Sequence, residues 1–262
     1  MKYISIISVL AFSSLLISCG SNKEESDTHN HSETESEVHE KDDHLPNDDS
    51  EEDGNHEDGG VHLTKEQIET AVKSKGYAWF EGAKDFDLNI VGVRNSATEG
   101  KVTNKFDDCL TLSYNLDGKE VFHCFAATTD PGTHWVENVL NKDGVAILVP
   151  GQYRGSHKIR KHQGRYDALC QKKELKVYRD NNKDGVYDML EENIHEGIYG
   201  INIHKAGGRV NGSTQIDKWS AGCQVFSKES DFDMLMEAAY KAKDLYGNSF
   251  TYTLIESKDI VA

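Results

Sequence analysis

The chain has 262 residues, with 45 acidic against 29 basic side chains for a net charge of −16, and 37% of it is hydrophobic. That length admits one full-sized domain beyond any leader and tether. The acidic balance argues against a nucleic-acid partner, which needs a basic face.

Residues 1–18 read as a signal peptide, with Lys2 before an apolar run from Ile4 to Ile17 that is short for a membrane span. Leu16-Ile17-Ser18-Cys19 before Gly20 resembles a lipobox, which implies cleavage before Cys19 and lipidation of its sulfur. The expectation is an exported lipoprotein of the cell envelope, held to the outer membrane through Cys19 and facing the periplasm or the exterior. The plain alternative is an ordinary secretory signal ending near Ser18. Residues 19–60 then read as a tether: sixteen acids and two lysines between 21 and 60 carry −14 of the charge. Almost nothing there is apolar, so burial cannot offset ordering entropy and the segment is expected to be disordered.

Segment 61–85 is expected to hold one helix. Thr64-Lys65-Glu66-Gln67 has the form of a capping box, and the helix should run to about Ser74 and end near Gly76. Residues 86–262 are expected to form a β-rich (α+β) domain. Strands are predicted over 87–93, 109–114, 119–126, 144–149, 166–171, 174–178 and 198–204, each a β-branched or aromatic run bounded by turn residues. A helix is predicted over 230–246, with Phe232, Leu235, Met236, Ala239 and Leu245 as its apolar stripe, and a last strand over 249–256.

Four cysteines follow Cys19 and allow three complete pairings. A four-residue hairpin loop at 115–118 would set Cys109 directly opposite Cys124, at bridging distance. A shorter loop would take them out of register. Cys170 has no evident role beyond packing.

Chemistry concentrates in His204, followed after fifteen residues by Ser220-Ala221-Gly222-Cys223. A thiol becomes a strong nucleophile as the thiolate, so it needs a base, and His204 is the nearest upstream candidate. Small residues before Cys223 would let a substrate backbone approach, and turn amides would stabilise an oxyanion. A buried structural cysteine near an unrelated histidine is the alternative.

The spacing His-x15-Ser-x-Gly-Cys, the preceding strand Tyr199-Gly200-Ile201-Asn202-Ile203-His204 and the turn Val149-Pro150-Gly151-Gln152-Tyr153 together resemble the L,D-transpeptidase catalytic domain. Those cysteine enzymes remodel peptidoglycan. The resemblance implies a β-sandwich or barrel, Cys223 as nucleophile, His204 as base, and Ser220 and Gly222 shaping the nucleophile turn. It also implies that the carbonyl of the residue after the histidine, Lys205, orients the imidazole, and that no cofactor is needed. The implied substrates are peptidoglycan stem peptides, attacked at an L-centre carbonyl with release of D-alanine. Ala221, Lys205 and the pair Gln224-Val225 depart from the family pattern, as in a divergent member with altered substrate seating. Trp219, Tyr199 and Gln224 are the candidate substrate contacts. His157 and His162 lie in a basic stretch, 154–165, which would contact acidic groups of the wall or simply be solvated.

A second motif spans 180–191. Asp180, Asn182, Asp184, Val186, Asp188 and Glu191 stand at loop positions 1, 3, 5, 7, 9 and 12 of a calcium-binding template, with Gly185 at the sharp turn. A strand precedes it where a helix-loop-helix hand would have a helix. The expectation is a structural Ca2+ site; the alternative is a polar hairpin loop satisfied by its own side chains. The motif also frames a rival to the enzyme: a calcium-stabilised, membrane-tethered, wall-binding lipoprotein without catalysis.

Overall fold

The computed structural model describes residues 63–82, 84–207 and 211–260. The expected signal peptide, the expected lipidation site Cys19 and the expected acidic tether lie outside the described residues. Helix α1 (Lys65–Ser74) precedes strands β1 (Asn89–Arg94), β2 (Asp108–Leu116) and β3 (Lys119–Thr128). A short helix α2 (Thr133–Glu137) leads to β4 (Val145–Leu148), β5 (Gly151–His162), β6 (Tyr166–Gln171) and β7 (Leu175–Asp180). There follow β8 (Ile194–Gly197), β9 (Ile203–Lys205), β10 (Gln224–Phe226), helix α3 (Glu229–Tyr246) and β11 (Phe250–Glu256).

Eight strands close into a barrel in the order β1-β11-β5-β6-β9-β10-β3-β2, and β4, β7 and β8 form a separate three-stranded sheet. Two barrel pairs are parallel, β1 with β11 and β9 with β10; the rest are antiparallel. Alternation along β1 explains the layering: Ile90 joins the main core, while Val91 and Val93 face Ile68, Ala71 and Val72 of α1. The main core gathers Leu110, Leu112, Phe125, Leu169, Ile203, Phe226 and Leu254 against Phe232, Leu235 and Met236 of α3. The capping box at Thr64 is formed in both directions. No helix among the described residues is long and apolar enough to cross a membrane.

Several expectations change. The basic stretch forms β5 and the turn after it: Arg154, Arg160, Lys161 and Arg165 are exposed to solvent, while His157, Ile159 and His162 are buried. Leu245 is exposed, and Ala242 takes its place in the α3 stripe. Cys109 and Cys124 are disulfide-bonded with Cα atoms 6.0 Å apart, though the hairpin closes on Leu116 and Lys119, which leaves a two-residue loop. Cys109 therefore faces Ala126, and the bridge joins diagonal neighbours on one face.

The strand expected over 198–204 shortens to β9. Gly200, at φ +76, breaks the extended run, and the N–H groups of Tyr199, Gly200 and Ile201 all donate to Gln171 Oε1 at 3.0, 2.8 and 3.0 Å. One buried side-chain oxygen thus replaces a sheet ladder. Gln171→Ala would leave these donors without a partner, and we expect a loss of about 2–4 kcal/mol. A fall in the urea midpoint at constant m-value checks this; an unchanged midpoint contradicts it.

Candidate active site

The parallel pair β9–β10 sets the site. Ile203 faces Gln224 and His204 faces Val225, so Cys223 lies beside Asn202 at the start of the ladder, on the face it shares with His204. Neighbouring strands about 4.8 Å apart, rising about 3.3 Å per residue, place residues offset by two positions about 8 Å apart at Cα.

Ser220 and Gly222 build the turn that presents the thiol. Fully buried Ser220 accepts the Gly222 N–H at 3.1 Å and donates its hydroxyl to the Cys223 carbonyl at 2.8 Å. Gly222 has φ +122, and a Cβ there would stand 2.4 Å from the Ala146 carbonyl oxygen of β4. Because the Gly222 N–H is engaged by Ser220, it is not free for an oxyanion. The Cys223 N–H has no hydrogen-bond partner among the described residues and is the available donor.

The thiol donates to the Gly200 carbonyl at 3.3 Å and accepts the Asn202 N–H at 3.5 Å. Burial pushes it up to about 11, with the Asn202 N–H opposing. His204 is buried, and burial together with His162 holds it down to about 4. Its Nδ1 lies 3.0 Å from the Lys205 carbonyl, which can only accept, so Nδ1 carries the proton and Nε2 is left as the basic atom. The free site therefore holds a neutral thiol and a neutral imidazole. A thiolate fraction set by a value near 11 rises tenfold per pH unit through pH 8–10. Alkylation of Cys223 at pH 8 should therefore run about two orders of magnitude slower than that of a free cysteine. Peptide mass mapping against pH checks this; a plateau below pH 8 would mean a preformed thiolate.

Three residues join the site that sequence reading did not place there. His162, at the end of β5, stacks on His204 with ring centroids 4.2 Å apart. Asn202 is oriented at both ends, accepting the Gln171 N–H at 2.9 Å and donating from Nδ2 to His162 Nδ1 at 3.1 Å. Tyr166 donates to the Lys205 carbonyl at 3.4 Å, and the Lys205 ammonium lies over its ring while pairing with Glu229. These contacts are tertiary, and nothing local in the sequence signals them. His157 is buried on the other side, its Nε2 3.0 Å from the Ile201 carbonyl, and serves the fold.

Of the expected substrate contacts, Trp219 is 39% exposed with its ring over Gly207 at the rim. Tyr199 is half-buried beneath the Arg179 guanidinium, two residues from Asn202's neighbour Ile201. Gln224 is a correction: it points into the barrel, where it accepts the Tyr252 hydroxyl at 2.7 Å and donates to the Thr129 and Gly222 carbonyls. It is fully buried and cannot reach a substrate.

The 180–191 loop lies on the second sheet. Asp180 accepts the Asn182 N–H, Asp184 accepts the Val186 N–H, and the Asn182 Nδ2 donates to both Asp184 and Asp188. Glu191 is exposed at the start of a 3-10 turn, and among the described residues no three acidic, histidine or cysteine side chains converge on one point. The expected six-ligand set is thus not preassembled, because an amide NH2 stands between two of the carboxylates. The donor types, carboxylates and amide or main-chain oxygen, still fit a hard cation.

No protein-family model, curated protein or solved structure matches this chain.

Proposed function

We propose that the chain is a cell-envelope cysteine acyltransferase acting on peptidoglycan stem peptides, a divergent L,D-transpeptidase-like enzyme exported as a lipoprotein through Cys19. The observation that carries this reading is the Nδ1–Lys205 carbonyl bond, which leaves His204 Nε2 as a base on the strand face shared with Cys223. The resemblance in spacing and turn residues supports it.

In the proposed reaction the Cys223 proton passes to His204 Nε2 as sulfur attacks the carbonyl carbon of the L-centre of the stem. The oxyanion is met by the Cys223 N–H. The amide C–N bond breaks, D-alanine leaves with the proton from His204, and a thioester remains. An acceptor amine then forms a cross-link, or water yields the shortened stem. The reaction begins from the neutral pair, so the proton moves during attack.

Incubating the protein with sacculi rich in tetrapeptide stems tests this. D-alanine and new tripeptide or cross-linked muropeptides are expected; an unchanged muropeptide profile overturns the reading. The neutral thiol favours a second reading, a wall-binding lipoprotein in which Cys223 only packs. It predicts retention on sacculi with no product.

A further inference from the structure

Asp180, at the end of β7, is only 3% exposed, and its carboxylate faces the loop it opens, since Oδ1 accepts the Asn182 N–H at 3.3 Å. Its other oxygen, Oδ2, is buried and makes no hydrogen bond of good geometry among the described residues, the Asp188 N–H acting on the carboxylate only weakly. Buried carboxylate oxygens are ordinarily paired with a donor or coordinate a metal. No lysine or arginine forms an ion pair with Asp180, Asp184 or Asp188 among the described residues. The Asn182 amide stands between Asp184 and Asp188, donating to them at 3.1 and 3.0 Å, and Asp184 also accepts the Val186 N–H at 2.9 Å.

We infer that this loop is a divalent-cation site of the calcium class, and that the bound cation sets the geometry of the Cys223 turn. The NH2 of Asn182 stands where positive charge is required. Turning that carboxamide about its last torsion gives up the bond its Oδ1 accepts from the Asp184 N–H at 3.1 Å, replaces the NH2 by Oδ1 and lets Asp180 Oδ2, Asp184 and Asp188 meet a cation, whose coordination offsets the lost bond. An all-oxygen donor set selects a hard cation over zinc or copper, and a flexible one suits calcium better than magnesium.

The link to the thiol is a short chain of contacts. Tyr187, between Val186 and Asp188, is buried and donates its hydroxyl to the Pro131 carbonyl at 2.6 Å. The adjoining Gly132 N–H donates to the Ser220 carbonyl at 2.8 Å, and Ser220 in turn holds the Cys223 carbonyl. From the other side, Asp180 pairs with Val145 in β4, whose Ala146 carbonyl packs against Gly222. A cation that orders the loop therefore steadies both supports of the turn, and the thiol stays in its clamp between Gly200 and Asn202. This coupling concerns the loop and the thiol, and it holds whether or not Cys223 acylates.

The test uses the full-length chain, stripped of metal, with calcium or a chelator. Calcium should raise the unfolding midpoint by at least about 4 °C and slow alkylation of Cys223, mapped by peptide mass, by at least threefold. Asp184→Asn, at an exposed position, should abolish both effects, which separates the loop from the acidic tether. Tyr187→Phe should keep the midpoint shift and lose the alkylation effect. A midpoint indifferent to calcium, or a shift retained in Asp184→Asn, overturns the cation site. A loop-dependent shift with unchanged alkylation overturns the coupling.

Discussion

Cys223→Ala should lower D-alanine release from tetrapeptide stems by about 10⁴-fold or more, since it removes the atom that forms the thioester. It should do so without unfolding the chain. Among the described residues the thiol makes two long hydrogen bonds, to the Gly200 carbonyl at 3.3 Å and from the Asn202 N–H at 3.5 Å. The turn itself is held by Ser220 through main-chain groups that alanine retains. An unchanged urea midpoint alongside lost activity is the expected pair of results; activity retained at a tenth or more of wild type contradicts the assignment.

Gly222→Ala should reach a similar functional end by a different route. The new Cβ would overlap the Ala146 carbonyl at 2.4 Å, and φ +122 is a conformation that a side chain disfavours. Either β4 or the turn must move, which carries the neighbouring thiol and its N–H out of place. A displacement near 1 Å lowers turnover about a hundredfold, and the strain removes about 2–4 kcal/mol of stability. Here activity and urea midpoint fall together, unlike in Cys223→Ala. A variant as stable and active as wild type would mean that the turn does not depend on this glycine.

How much of this was legible depended on whether a signal was local. The capping box at Thr64 and the strand over 166–171 follow from short patterns, and the structure has both. The turn roles of Ser220 and Gly222 came from the resemblance carried by Ser-x-Gly-Cys, and the structure places both residues in the turn before Cys223. Strand β5 was hidden, since its buried residues follow no single alternation: His157 and Ile159 lie on one face and His162 on the other, among outward basic residues. The irregular run before β9 was hidden as well: its backbone bonds go to Gln171, about thirty residues away in the chain, and no periodicity reports a side chain standing in for a strand. Gln224 was misplaced because the resemblance gives its position a part in seating substrate, whereas Tyr252 and Thr129 satisfy it inside the barrel. The diagonal disulfide shows the same limit, because a register rule on a flat hairpin misses a bridge between neighbours offset by two.

The central claim is that Cys223 is an acylating nucleophile served by His204. Incubation with a carbapenem, followed by intact and peptide mass spectrometry, tests it most directly. The account predicts one acyl adduct per chain, mapped to Cys223, absent from Cys223→Ala and formed at least about a hundredfold more slowly in His204→Ala. No adduct on the folded protein, or one that forms equally fast without His204, would contradict it.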